Sequence, residues 1–279
     1  MTSQHIGILH PGEMGVSIAA SARNSGHPVF WASEGRGPAT RARAEKHTLI
    51  DRETLAALCH DCAILISVCP PEVAETVANR VLFHGFTGLY VEANAIAPQR
   101  SIRIGQTLTD AGIRFVDGGI IGGPAWSAGS TSLYLAGADA EAVAALFSAG
   151  PLMTPVLGTE IGAASALKMC YAAYTKGTTA LLCAVLSASE TLGVREALVQ
   201  QWTSDASGLA EEAPRRVRDV TAKAWRFAGE MEEIAATFQH AGLPGEFHLA
   251  AATLYQRLAG FKDATERPSL ETVLQTLRK

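Results

Sequence analysis

Two groups of residues hold most of the chemistry legible in this chain. The first is His10-Pro11-Gly12-Glu13-Met14-Gly15, between a short apolar run and a helical pattern. The dinucleotide fingerprint is G-x-G-x-x-G in that same strand-to-helix context. Here Gly12 and Gly15 hold its second and third glycines, and His10 stands where the first belongs. The second glycine admits a pyrophosphate to free N–H groups at a helix N-terminus, and the third lets helix and strand pack closely. The first serves mainly the tight turn, which Pro11 stiffens. The stretch is therefore expected to remain a nicotinamide-nucleotide site, with His10 at negative φ and its ring near phosphate or ribose. A tight turn without a ligand is the alternative.

The second group surrounds Lys168, in Ser165-Ala166-Leu167-Lys168-Met169-Cys170-Tyr171-Ala172. At helical spacing Lys168, Tyr171, Ala172 and Thr175 share one face. A lysine among apolar residues at a domain junction can be desolvated, which suits acid–base work. The same spacing also fits a solvated surface lysine.

Cofactor choice turns on the stretch after Val29-Phe30-Trp31, where Ser33, Glu34, Arg36, Arg41 and Arg43 follow. A small hydroxyl followed by arginines suits a 2′-phosphate, because guanidinium forks match phosphate oxygens. Glu34 could instead select NAD through the ribose 2′-OH, and the arginines could line a solvated helix. NADP is the expectation. Val68-Cys69-Pro70 and Asn94 end successive strands, where ligands of open α/β sheets bind, and Asn94 carries both donor and acceptor. Gly118-Gly119-Ile120-Ile121-Gly122-Gly123 either brings backbone N–H groups to a small substrate or makes a tortuous loop.

The elements that must position these residues alternate through the first half. Strands are expected at 5–9, 28–31, 63–68, 89–92 and 113–117, with helices near 14–24, 41–46, 53–58, 71–82 and 99–110. That alternation predicts a mostly parallel, doubly wound sheet with right-handed crossovers; 133–136 and 153–156 would extend it. From 161 to 192 no proline interrupts an apolar period near 3.6, which is about 48 Å of helix at 1.5 Å per residue. Helices at 196–204, 213–223, 224–241 and 245–259 would follow. The expected organisation is a Rossmann-type NADP-binding domain, 1–158, and an all-α substrate and dimerisation domain, 159–279. A helix that outspans its own domain calls for a partner surface, and a second copy supplies it, so a homodimer is expected.

Composition narrows the class. Hydrophobic residues make up 48% and charged residues 18%, with a net charge of −4, which favours neither nucleic acid nor an anionic membrane as partner. No apolar run is long enough to span a bilayer, and the start lacks the basic residues of a signal peptide. Five cysteines in apolar segments fit reduced thiols and a cytoplasmic location. Cys59-His60-Asp61-Cys62 suggests zinc or redox chemistry, but zinc needs about four ligands and no second pair follows; no metal is expected.

Three stretches, 6–15, 117–123 and 162–168, occur in the order and spacing of a known superfamily. They resemble the cofactor, substrate and catalytic motifs of the β-hydroxyacid dehydrogenases, relatives of 6-phosphogluconate dehydrogenase. Residues 168–177 and 229–236 are similar to a branch with a helical C-terminal domain of unknown function, near the imine reductases. The resemblance implies that Lys168 is the catalytic lysine, exchanging a proton with the substrate oxygen while the nicotinamide moves hydride. It implies that Gly12, Met14 and Gly15 form the phosphate turn and that Asn94 lies near the nicotinamide ribose; His10, Pro11, Glu13, Ser33, Arg36, Val68, Cys69 and Pro70 complete the expected cofactor set. Ile121, Gly122 and Gly123 fall on the substrate motif, yet Ile121 replaces the family's serine and Ala172 its asparagine. With those two polar partners gone, an ordinary small 3-hydroxy acid is not expected as substrate. Tyr171, expected as a catalytic residue with Lys168, or Tyr174 could supply the missing hydroxyl, and Glu230 or Glu233 could face the cleft. The implied activity is NADP(H)-dependent interconversion of a secondary alcohol and a carbonyl compound. An imine reductase or a catalytically silent NADP sensor are the alternatives.

Overall fold

The computed structural model describes residues 3–262 and 264–279. Its elements are β1(Ile6–Ile8), α1(Glu13–Asn24), β2(Val29–Trp31), α2(Pro38–Lys46), β3(Ile50–Asp51), α3(Leu55–Asp61), β4(Ile64–Ser67), α4(Ala74–Phe83), β5(Leu89–Glu92), α5(Pro98–Asp110), β6(Arg114–Gly122), β7(Thr131–Ala136) and α6(Ala140–Ala145). Six helices follow: α7(Ala163–Thr191), α8(Arg195–Ser204), α9(Leu209–Asp219), α10(Ala224–His240), α11(Glu246–Arg257) and α12(Leu270–Leu277). The chain divides into two compact units, Met1–Met169 and Cys170–Lys279, with α7 running from the first into the second.

In the first unit seven strands form one sheet in the order β3-β2-β1-β4-β5-β6-β7. All neighbours are parallel except β6 and β7. The order reverses between β1 and β4, the switch point beside which ligands bind in such sheets. Side-chain alternation builds a core on each face: Ile64 and Ile66 join α1 and α6 on one side, and Leu65 joins α3, α4 and α5 on the other.

Three expectations need correcting. The strand expected to end at Asp117 continues to Gly122, its glycines paired with β7. Residues 153–156 add only single bridges, Ser132 to Met153 and Leu135 to Val156. The short β3, α6 and α12 add to the elements expected from the sequence.

The second unit is helical throughout. Arg216 ties α9 to α7, donating to the Thr178 and Thr179 hydroxyls at 2.6 Å and to the Thr175 carbonyl at 3.2 Å. The buried Tyr255 hydroxyl donates to the Lys176 carbonyl at 2.7 Å, tying α11 to the same helix. No helix among the described residues is long and apolar enough to cross a membrane.

Candidate active site

The turn after β1 is built around Pro11. The Gly12 N–H donates to the His10 carbonyl at 2.8 Å, the three-residue turn that proline's fixed φ suits. Positive φ among described non-glycine residues occurs only at Thr48, Glu53 and Ala206, so His10 keeps the negative φ expected of it. Gly15 is required by packing, since a Cβ there would lie 2.1 Å from the His10 carbonyl oxygen. Gly12 differs. It caps α1 at φ −69°, open to any residue, and a Cβ there would meet nothing within 4 Å. The chain itself does not need glycine at 12, whereas a pyrophosphate approaching the first N–H groups of α1 would. Pro11 is buried, Met14 packs on the core and Glu13 is exposed.

The arginines after β2 divide their work. Arg41 donates to the Ser33 carbonyl at 2.7 Å and the Arg36 carbonyl at 3.1 Å, and Arg43 to the Pro11 carbonyl at 3.2 Å. Both therefore brace loops from a helix whose only buried residue is Ala44. Arg36 instead enters a pocket with His10, Glu34 and Arg80, donating one bond to the Leu9 carbonyl at 3.0 Å. Its Nε and the His10 Nδ1 are buried without partners. Burial first, then the charges of Arg36 and Arg80, push the His10 pKa down to about 4. Ser33 is buried beside this pocket, its N–H bonded to Asp51 at 3.2 Å. The open face at Gly12 and these orphaned polar atoms fit a bound dinucleotide.

At the ends of β4 and β5, Asn94 is buried and both ends of its amide are engaged. Its Nδ2 donates to Ser67 Oγ at 3.0 Å, and its Oδ1 accepts from the Cys69 N–H. Asn94 thus holds the loop Val68-Cys69-Pro70 in place. Burial pushes the Cys69 thiol up to about 12, and the Cys59 and Cys62 thiols to about 11 and about 12, the opposite of a reactive thiolate.

Glu92, absent from the residues expected in the site, lies fully buried with Oε1 accepting from the Asn94 N–H at 2.9 Å and Oε2 unpartnered. Burial, with nearby Asp117, raises its pKa from 4.5 to about 8. A carboxyl raised in the folded state contributes stability fully present below pH 4.5 and lost as pH rises through 8. Thermal unfolding of the wild type between pH 6.5 and 8 should therefore show a loss of about 2 kcal/mol. Glu92→Gln, which retains the acceptor for Asn94, should flatten that slope.

The catalytic candidate is positioned by a residue far from it in sequence. Asp117 is the last residue of β6 paired with β5 and is fully buried. Its carboxylate accepts from Ser101 Oγ at 2.7 Å, Ser165 Oγ at 2.5 Å, and the N–H groups of Gly162 and Ser165, both at 3.0 Å. Those N–H groups belong to the start of α7, where donors lack intrahelical partners. Asp117 therefore caps α7 from the sheet and sets it just beyond the carboxyl end of the parallel strands. Gly119 permits the approach: a Cβ there would lie 2.4 Å from the Ala164 carbonyl oxygen and 3.1 Å from Lys168 Cβ. The glycines 118–119 thus serve packing within a strand instead of forming a loop. Lys168 follows Ser165 by about one turn and is half-buried. Ile121 is half-buried opposite Ser132, Gly122 ends the strand at positive φ, and Gly123 lies exposed beyond it.

On α7 in the helical unit, Tyr171 and Tyr174 are exposed and Ala172 is buried. Tyr174 borders an apolar pocket with Cys170, Phe238, Phe247 and His248. Glu230 forms a buried ion pair with Lys176, whose ammonium sits 4.5 Å from the Phe227 ring centre. Glu233, a turn later on α10, is half-buried. Lys176 and Arg80 give no signal in the sequence, because each is one basic residue in an ordinary helix pattern.

Comparison with known proteins places this geometry. Residues 5–149 match the family described as the NAD binding domain of 6-phosphogluconate dehydrogenase, and 189–258 match a domain of unknown function, DUF1932. A search of curated proteins gave no significant match. Among solved structures, a conserved hypothetical protein from Sinorhizobium meliloti 1021 is 22% identical over 99% of this chain and 96% of its own, with a TM-score of 0.71. The 3-hydroxyisobutyrate dehydrogenase of Mycobacterium tuberculosis, solved with L-serine, is 18% identical over the full length of both chains, TM-score 0.70. A reductive aminase from Aspergillus terreus, solved with NADPH4, cyclohexanone and allyl amine, is 18% identical over 98% and 99%, TM-score 0.56. With its switch-point turn, capped α7 and matched N-terminal half, the chain belongs to the family of the 6-phosphogluconate dehydrogenase NAD binding domain.

Proposed function

We propose that this protein is an NADP(H)-dependent oxidoreductase that interconverts a secondary alcohol, of hydroxy-acid type, and a carbonyl compound. The observation that supports it most is the placement of Lys168. The Asp117 cap holds α7 at the carboxyl end of the parallel sheet, where ligands bind in this architecture. A bound nicotinamide supplies or accepts the hydride. Gly12 and the first N–H groups of α1 would hold the pyrophosphate, Arg36 and Ser33 the 2′-phosphate, and the loop fixed by Asn94 the nicotinamide ribose. Lys168 Nζ would donate a proton to the carbonyl oxygen on reduction and recover it on oxidation. We assign Tyr171 a catalytic role with Lys168, and Ile121, Gly122, Gly123, Tyr174, Glu230 and Glu233 to substrate. Ile121 and Ala172, standing where the resemblance implies a serine and an asparagine, leave fewer polar groups for a small carboxylate, so we favour a less polar substrate. The reading includes a cytoplasmic homodimer joined through the helical units, where α7 leaves Tyr174, Leu181 and Leu192 exposed.

The test is NADPH oxidation across aldehydes, β-keto acids and cyclic imines. Turnover of carbonyl compounds supports the proposal. Turnover of imines alone makes the protein an imine reductase, and tight NADPH binding without turnover makes it a nucleotide sensor.

A further inference from the structure

We propose that Arg80, on α4, forms with Arg36 a two-arginine clamp for a phosphate on the ribose 2′ position, and that this clamp sets the preference for NADP over NAD. The clamp rests on the cofactor reading above and adds a specificity residue to it. The two guanidinium groups reach one pocket from elements 44 positions apart in sequence, Arg36 from the loop after β2 and Arg80 from α4. Leu9 and His10 at the end of β1, and Ala32 at the end of β2, form part of the same wall. In a sheet of this order the adenosine ribose lies there.

The charges are unbalanced. Among the described residues neither Arg36 nor Arg80 has a carboxylate within ion-pair distance, while Glu75, the acid on the same helix as Arg80, is shared by Arg100 and Arg103. Arg36 makes one bond, to a neutral carbonyl, and keeps Nε buried and unpartnered. Glu34 is the one acid lining the pocket and is itself exposed, so two arginines against one glutamate leave a net charge of +1. The two guanidinium groups are close enough for repulsion to register, and burial together with Arg80 pushes the Arg36 pKa below its ordinary value. Two like charges brought together in a half-buried site cost free energy unless a counter-charge joins them. A dianionic phosphate with forked acceptor oxygens meets that requirement. His10 stays neutral beside them and offers an unpartnered Nδ1 to a ribose hydroxyl.

A stacking role is the competing use, since a guanidinium can also lie on an adenine face. Calorimetry with 2′,5′-ADP and 5′-AMP separates the two. Arg80 is exposed, so Arg80→Ala should fold normally. The variant should bind 2′,5′-ADP about 10- to 100-fold more weakly, as expected for loss of a charge-assisted bond, and 5′-AMP within about twofold. Arg80→Lys should recover part of the loss. Equal weakening toward both nucleotides would assign Arg80 to adenine stacking, and no weakening toward either would remove it from the site; each overturns the clamp. If the wild type binds NADPH tightly in those cases, the oxidoreductase reading stands. If the wild type binds neither NADPH nor NADH, both fail.

Discussion

Lys168→Met is expected to lower kcat for carbonyl reduction by about 10²- to 10⁴-fold, the range for removing a positioned general acid, while NADPH affinity changes less than about twofold. The expectation follows from where the side chain starts. Lys168 Cβ would be 3.1 Å from a Cβ at Gly119, so its stem leaves α7 against β6 at the sheet's carboxyl end. The turn, pocket and loop assigned to the nucleotide all lie on other elements, hence the small effect on binding. Methionine keeps the length and apolar stem, so packing losses stay small. Lys168→Arg sharpens the result: arginine keeps the charge but cannot give up its proton in a protein. If charge alone stabilised the developing oxyanion, arginine would rescue the rate; if proton transfer matters, it should remain close to the methionine variant. Carbonyl turnover unaltered in Lys168→Met would remove Lys168 from the chemistry.

The nucleotide turn is legible in the sequence because its determinants are local. Gly12 and Gly15 lie within one turn of each other, and the strand and helix around them have unmistakable apolar periods. The long helix is legible for the same reason, and 161–192 lies within two residues of α7 at each end. What escapes is short or distant. β3 is two exposed residues, too few to show a period. The sequence ends β6 at Asp117 because consecutive glycines signal a turn, whereas here they remove Cβ atoms where α7 and β5 press on the strand.

The site shows the same division. Lys168 and Asn94 can be named from the sequence, but their supports cannot. Arg36 is named for the cofactor from the sequence, but only folding shows that it lines a pocket while Arg41 and Arg43 brace loops. Glu230 can be named as a candidate from the sequence, but its ion pair with Lys176, 54 residues away, cannot. Glu92 gives no warning at all: a strand-ending acid is ordinary until burial raises its pKa.

Asp117→Ala is expected to destabilise the fold more than any of the other substitutions, and it tests how Lys168 is held. The carboxylate satisfies four donors, two of them backbone N–H groups at the start of α7. Alanine leaves those donors buried and unpaired, at about 1–3 kcal/mol for each orphaned group. Some will find water or rearrange, so a net loss of about 3–5 kcal/mol is the expectation, or roughly 10 °C in Tm for a chain of this size. Asp117→Asn keeps one acceptor oxygen but turns an NH₂ toward other donors, and should lose less. The functional consequence separates capping from general stability. If Asp117 fixes the register of α7 against β6, the asparagine variant, assayed well below its Tm, should lose kcat far more than it loses NADPH affinity. The carboxylate is about one helical turn from Lys168, and misplacement by about 1 Å can cost about 10²-fold in rate. Unchanged kcat in a folded Asp117→Asn protein would mean that α7 is held in register by its packing alone.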